Sequence, residues 1–184
     1  MRVVFAGSPE IAIPSLEVLV TEQIASGNIE VVGVLTNPDS RRGRKGSLEP
    51  TEVGAAALLL QERLREHALT PFAILKPEKL DASVRELIAN LKPDILVSFA
   101  YGKIFGPKFL GLFPKGGINI HPSLLPKYRG ATPIPAAILN RDRETGITIQ
   151  TLALQMDAGD ILMQDRIELS GRETTESLSR WAAQ

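Results

Sequence analysis

The chain has 184 residues, 21 basic against 21 acidic side chains, 43% hydrophobic residues and no cysteine. Such a composition suits one folded globular domain and excludes a disulfide framework, a thiolate nucleophile and a thiolate-ligated metal. Zero net charge leaves no global field to draw in nucleic acid. No run reaches the ~18 consecutive apolar residues of a membrane helix, and "MRVVFAGSPE" lacks a charged-then-apolar leader. The chain is therefore expected in the cytoplasm, off the membrane.

Residues 2–6 ("RVVFA") read as a short buried strand, and "GSPE" as a helix start, with Ser8 as cap, Pro9 in the first helical position and Glu10 at the positive end. "IAIPSLEVLVTE" then carries an apolar face. A second strand, 29–36, has the β-branched enrichment of a buried strand. The basic loop "PDSRRGRKGSLEP" follows, with Arg41, Arg42, Arg44 and Lys45 close together and Gly43 and Gly46 opposing a stable helix. Helical patterns at 51–69 and 81–91 and strands at 93–100 and 116–121 complete an alternation that implies a doubly wound α/β fold, a mostly parallel sheet with helices on both faces. In such a sheet ligands bind beyond the carboxyl ends of the strands, where "AYG" and "NIHPS" fall. From residue 145 two period-2 runs joined by a glycine-containing turn predict an antiparallel hairpin at the sheet edge. "ETTESLSRWAAQ" starts as a capped helix and shows no C-cap signal, so the sequence is expected to stop inside or just after a helix.

"GSPE" lacks the second and third glycines of a dinucleotide fingerprint, and no phosphate-binding Gly-Lys-Ser/Thr appears. Asn119 and His121 share one face of a strand end and offer an amide for an oxyanion and an imidazole for a proton, half of an acyl-transfer site. The plainer alternative is an asparagine turn beside a structurally satisfied histidine. His67, near the end of a charged helix, needs no catalytic role. Residues 123–126, between Pro122 and Pro126, form a stiff segment that suits either a heterocycle's pocket or an ordinary loop. Asp157 and Asp160 flank Gly159, as a plain Asx-rich turn or as a partner for His121. No clustered ligand spacing supports a metal.

"NIHPSLLPKYRG", with "MDAGDI" placing Asp157 thirty-eight positions after Asn119, resembles the folate-dependent formyltransferase family. "FAGSPEIAIPSLEVL", "VVGVLTNPD", "VSFAYGKIFGPKFL" and "RGATPI" are similar to its branch that acts on methionyl initiator tRNA. The resemblance implies the Rossmann-like formyltransferase fold, a catalytic trio of Asn119, His121 and Asp157, and 10-formyltetrahydrofolate as formyl donor, with no metal. It further implies a folate site built from Tyr101, Gly102, Ser123, Leu124, Leu125, Pro126 and Asp160. Arg41, Arg42, Arg44 and Lys45 correspond to a basic insertion that reaches the tRNA acceptor end, in a monomeric enzyme. Gly7-Ser8-Pro9-Glu10 differs from the glycine-rich first turn expected of a glycinamide ribonucleotide formyltransferase. The hydrolase domain of formyltetrahydrofolate dehydrogenase shares more and stays the closer rival. Ala131-Thr132-Pro133-Ile134 departs slightly from the family's Ala-Ala-Pro-Ile. The family also continues into a β-rich tRNA-binding domain, so residues 1–184 are expected to be the catalytic domain alone.

Overall fold

The computed structural model describes residues 1–41 and 46–184. It opens with β1 (Arg2–Gly7), a 3-10 turn (Glu10–Ala12) and α1 (Ile13–Ser26), followed by β2 (Glu30–Leu35). A small antiparallel pair, β3 (Ser40–Arg41) and β4 (Leu48–Glu49), brackets the basic loop, whose Arg42, Arg44 and Lys45 lie outside the described residues. Then come α2 (Glu52–Glu66), β5 (Ala73–Leu75), α3 (Ala82–Asn90), β6 (Ile95–Phe99), α4 (Pro107–Leu110) and β7 (Gly117–His121). The chain closes with α5 (Pro133–Leu139), β8 (Glu144–Thr151), β9 (Ile161–Glu168) and α6 (Thr175–Ala183).

The main sheet runs β5-β2-β1-β6-β7-β8-β9. β5 to β7 are parallel, and β8 and β9 add antiparallel at one edge, the predicted hairpin. Alternation along the central strands divides the core between the two faces. Val3, Phe5, Val97 and Phe99 pack with Leu16 and Val20 of α1 and Ala57, Leu60 and Leu64 of α2. Val4, Ala6 and Leu96 pack with Val84 and Ile88 of α3 and with Phe105, Phe109 and Phe113. Both faces of the central strands are therefore buried, which explains their near-continuous apolar sequence.

Helix ends follow local chemistry. Thr51 Oγ1 accepts from Gly54 N–H at the start of α2 and Asp81 Oδ1 from Val84 N–H at the start of α3. Thr174 and Ser177 exchange bonds in a capping box on α6. α1 stops at Gly27, whose φ of 67° suits a residue without Cβ.

The first helix does not begin as predicted. Ser8 caps nothing; its buried hydroxyl accepts from Asn37 N–H at 3.1 Å. The chain makes its 3-10 turn first, and α1 starts at Ile13 with Pro14 in its opening turn. This frees Pro9 to face the cavity described below. β5 escapes sequence detection because it is three half-buried residues long, too short for a period to show.

Candidate active site

Beyond the carboxyl ends of β6 and β7, walled on one side by the end of β8 and the loop after it, lies a cavity of about 520 Å³. Asn119, His121, Gln150 and Asp157 all line it. The antiparallel register seats Asn119 opposite Gln150 and His121 opposite Thr148. Directly opposed residues share a face with Cβ atoms about 5 Å apart, so β7 and β8 present a tile of four polar side chains. This is the pairing that the Asn119/His121 spacing predicts, extended by one strand.

His121 is 5% exposed. One ring nitrogen, Nε2, lies 2.8 Å from the Tyr128 carbonyl. A carbonyl only accepts, so Nε2 carries a hydrogen and Nδ1 is the nitrogen turned to Asp157, 3.5 Å from its Oδ2. Asp157 is held from two further directions: Gly130 N–H donates to Oδ2 at 2.8 Å and Gln150 Nε2 to Oδ1 at 3.0 Å. Its φ of 50° is left-handed, a conformation that a non-glycine residue keeps only where its surroundings impose it. Tyr128, at φ 58°, is in the same region. The residues before and after Arg129 thus clamp the histidine and the aspartate through main-chain groups.

The loop carrying Asp157 is closed at its base. Thr151 N–H donates to the Asp160 carbonyl at 2.9 Å, and Asp160 N–H to Thr151 Oγ1 at 2.8 Å. Gly159 fits there because it has no side chain: a Cβ would stand 1.8 Å from the Thr151 carbonyl oxygen. Asp160 itself is exposed and lies off the cavity wall, serving the loop through its backbone.

Tyr101 and Gly102 line the cavity. Tyr101 is 2% exposed, and burial pushes its phenol up to about 12. Its hydroxyl has no hydrogen-bond partner among the described residues. The ring stacks on Phe105 at 5.6 Å, beginning a series that continues through Phe109 to Phe113. Lys103 Nζ sits 5.8 Å from the same ring and donates to the Pro77 and Glu78 carbonyls; burial lowers its pKa.

Residues 123–126 are placed differently from the expectation that they line the pocket. Only Pro122 of this turn reaches the wall. Ser123 is fully buried, and its hydroxyl donates to the Lys127 carbonyl at 2.6 Å. Leu124 packs on Gly146, and Leu125 N–H donates to Thr148 Oγ1 at 3.0 Å. Thr148 donates in turn to the Ser123 carbonyl, while Gln164 Nε2 bonds the Leu125 carbonyl and Thr148. Pro126 follows through a cis peptide and is exposed. The segment's polar groups are taken up within the turn and by Thr148 and Gln164 of β8 and β9, so it buttresses the tile from behind.

Arg41, in β3, is exposed and donates to the Gly46 carbonyl at 3.3 Å, away from the cavity. His67 contacts the Arg63 carbonyl at the end of α2, remote from the trio in the fold. Among the described residues no group of three or more His, Cys, Asp and Glu side chains is arranged to hold a metal.

Sequence reasoning passed over Gln150, Thr148, Tyr128 and Gly130. The first two did leave a signal: in "ITIQT" polar residues occupy the alternate positions that a strand buries, and buried polar residues call for partners. The other two act through backbone, which residue type does not reveal.

A doubly wound sheet that ends in an amide, an imidazole and a carboxylate around one cavity makes this an α/β domain with polar groups converging on a ligand-sized pocket. The family model described as formyl transferase matches residues 1–184, and the chain belongs to that family. It is 49% identical over 180 residues to the methionyl-tRNA formyltransferase of Treponema pallidum (strain Nichols), covering 97% of this chain and 53% of that protein. Against the enzyme of the same name from Treponema denticola it is 50% identical over 179 residues, again 97% and 53%. The chain spans about half the length of the curated relatives it matches. Among solved structures, phosphoribosylglycinamide formyltransferase from Bacillus halodurans superposes with a TM-score of 0.74 at 25% identity, covering 99% of this chain and 87% of that one. The enzyme of that name from Anaplasma phagocytophilum gives 0.75 at 22% identity, over 99% and 78%, a likeness of fold alone.

Proposed function

We propose that residues 1–184 form the catalytic domain of an enzyme that moves the formyl group of 10-formyltetrahydrofolate to the α-amine of methionine esterified to initiator tRNA. The observation that carries this reading is the convergence of Asn119, His121 and Asp157 on one wall of the cavity. Its volume, about 520 Å³, falls within the range of small-molecule sites. The apolar surfaces of Pro9, Tyr101, Ile104 and Phe105 suit a flat heterocycle. The names of the relatives, about half of whose length this chain spans, supply the acceptor, methionyl-tRNA.

In this mechanism the amine nitrogen attacks the formyl carbon, and the carbonyl oxygen takes up negative charge. Asn119 Nδ2–H stabilises that oxygen. Because Nε2–H of His121 is engaged by Tyr128, the hydrogen offered to the oxyanion is the one on Nδ1. Its 3.5 Å separation from Asp157 is long for a hydrogen bond and leaves that donor available. Asp157 fixes the ring and balances the charge of its doubly protonated form. The carbon–N10 bond then breaks, and the proton lost by the amine passes to N10 through a water or His121. Tetrahydrofolate and N-formylmethionyl-tRNA are the products, with no covalent enzyme intermediate.

The basic loop, Arg41 with Arg42, Arg44 and Lys45, would contact acceptor-stem phosphates, giving affinity that falls as salt rises. The reaction is cytoplasmic and the catalytic unit monomeric. Among the described residues no helix is long and apolar enough to cross a membrane.

The test is to incubate the chain with 10-formyltetrahydrofolate, with and without methionyl initiator tRNA, and to follow formylated tRNA, tetrahydrofolate and formate. Formylated tRNA that disappears in His121→Ala supports the reading. Formate release that ignores tRNA would replace it with a hydrolase.

A further inference from the structure

Gln150 is 2% exposed and sits on the cavity wall between two members of the trio. Its Nε2 donates to Asp157 Oδ1 at 3.0 Å. An ionised carboxylate only accepts, so the amide cannot turn over without setting oxygen against oxygen. The other end, Oε1, is therefore pointed away from Asp157, buried and without a hydrogen-bond partner among the described residues. Directly across the strand pair stands Asn119, also on the cavity wall and partly exposed. An unpaired buried acceptor on the residue directly opposite favours the Asn119 rotamer that turns Nδ2, and not Oδ1, toward it.

We infer that Gln150 is a positioning residue that sets the polarity of the site: Asp157 orients the Gln150 amide, and Gln150 Oε1 takes one hydrogen of Asn119 Nδ2, leaving the second aimed at the formyl oxygen. The relay rests on the formyl-transfer reading for its use, and on the unpaired buried Gln150 Oε1 and the Asn119–Gln150 strand register for its existence. It explains why a glutamine stands where an apolar residue of equal volume would leave no buried acceptor unpaired. It also gives Asn119, the least constrained member of the trio, a fixed orientation before substrate arrives. A turned Asn119 would present a carbonyl to the developing oxyanion and oppose the reaction.

Three variants test it: Gln150→Met, Gln150→Glu and the double variant Gln150→Glu/Asp157→Asn. Gln150→Met keeps the volume and removes both polar ends. Its kcat for formyl transfer to methionyl initiator tRNA is expected to fall about 10- to 100-fold, as misplacement of a catalytic group does, with KM for 10-formyltetrahydrofolate within about twofold of wild type on the same reading. The Asn119 side-chain amide resonances are expected to move in Gln150→Met. Gln150→Glu sets two carboxylates face to face and lowers both Tm and kcat. In the double variant the amide introduced at position 157 donates to the carboxylate introduced at position 150, so Tm returns while kcat stays low. A Gln150→Met enzyme with wild-type kcat, or with kcat and donor KM altered in proportion to a lowered Tm, overturns the proposal. So do Asn119 amide resonances that ignore the change. If the wild-type chain transfers no formyl group to methionyl-tRNA, the functional reading fails; the Asn119 amide resonances still decide the relay, and the Tm of the double variant tests its Asp157 end.

Discussion

Asp157→Asn removes one charge from the site and almost no volume. The carboxylate accepts Gly130 N–H on Oδ2 and Gln150 Nε2–H on Oδ1, and faces His121 Nδ1. An asparagine can satisfy one of those donors with its single oxygen, and its NH₂ must then oppose the other. At a side chain only 11% exposed, one buried donor goes unpaired, a cost of ~1–3 kcal/mol. For a domain of this size that lowers Tm by roughly 2 to 12 °C. The catalytic loss should be larger, because the imidazole loses both its orienting partner and the charge that balances its protonated form. Disabling a positioned acid–base group costs ~100- to 10,000-fold, equivalent to about 3 to 5 kcal/mol of barrier. Single-turnover formyl transfer at saturating donor, beside a thermal melt, separates the two effects. A variant within threefold of wild type in the chemical step, whatever its Tm, would refute the assignment of Asp157 to the histidine.

Gly159→Ala forces a Cβ to within 1.8 Å of the Thr151 carbonyl oxygen, so the loop base must open; transfer activity is expected to drop at least tenfold by displacement of Asp157, checked by activity and by proteolysis at 152–160. Leu64→Ala empties a fully buried position between α2 and the sheet; unfolding in denaturant should show a loss of about 2–5 kcal/mol with donor KM unchanged. The Glu173 carboxylate accepts from the Ser170 hydroxyl and from the Ser170 and Gly171 N–H groups, which pull its pKa to about 2. Its folded pKa lies below the ordinary value of 4.5, so its contribution is complete above that value and is lost as pH falls toward about 2. Glu173→Gln should therefore be less stable than wild type at neutral pH, with the difference shrinking steadily as pH falls from 4.5 toward about 2, as followed by thermal melts across that range.

Much of this architecture is written in the sequence because its signals are periodic. The alternation of Val3, Val4, Phe5 and Ala6 between two cores, the antiparallel edge and the Asn119/His121 pair all follow from a period of two. Elements that rest on tertiary contacts leave no such trace. Ser8 has the composition of a cap, yet β2 ends where Asn37 N–H can claim its hydroxyl first. Residues 123–126 look like a pocket wall from their prolines, but Thr148 and Gln164 lie behind them and take up their backbone groups. The family resemblance points to the trio; it does not say which nitrogen of His121 faces Asp157, since that depends on the Tyr128 carbonyl.

The main-chain clamp at residues 128–130 bears on how the domain can diversify. His121 and Asp157 lean on a carbonyl and an N–H that every residue type but proline possesses, although Gly130, at φ 98°, favours glycine. The exposed Arg129 side chain between them takes no part in either contact. Side-chain variation at that position therefore leaves both main-chain contacts in place, so substitutions of Arg129 are predicted to keep the His121 and Asp157 geometry.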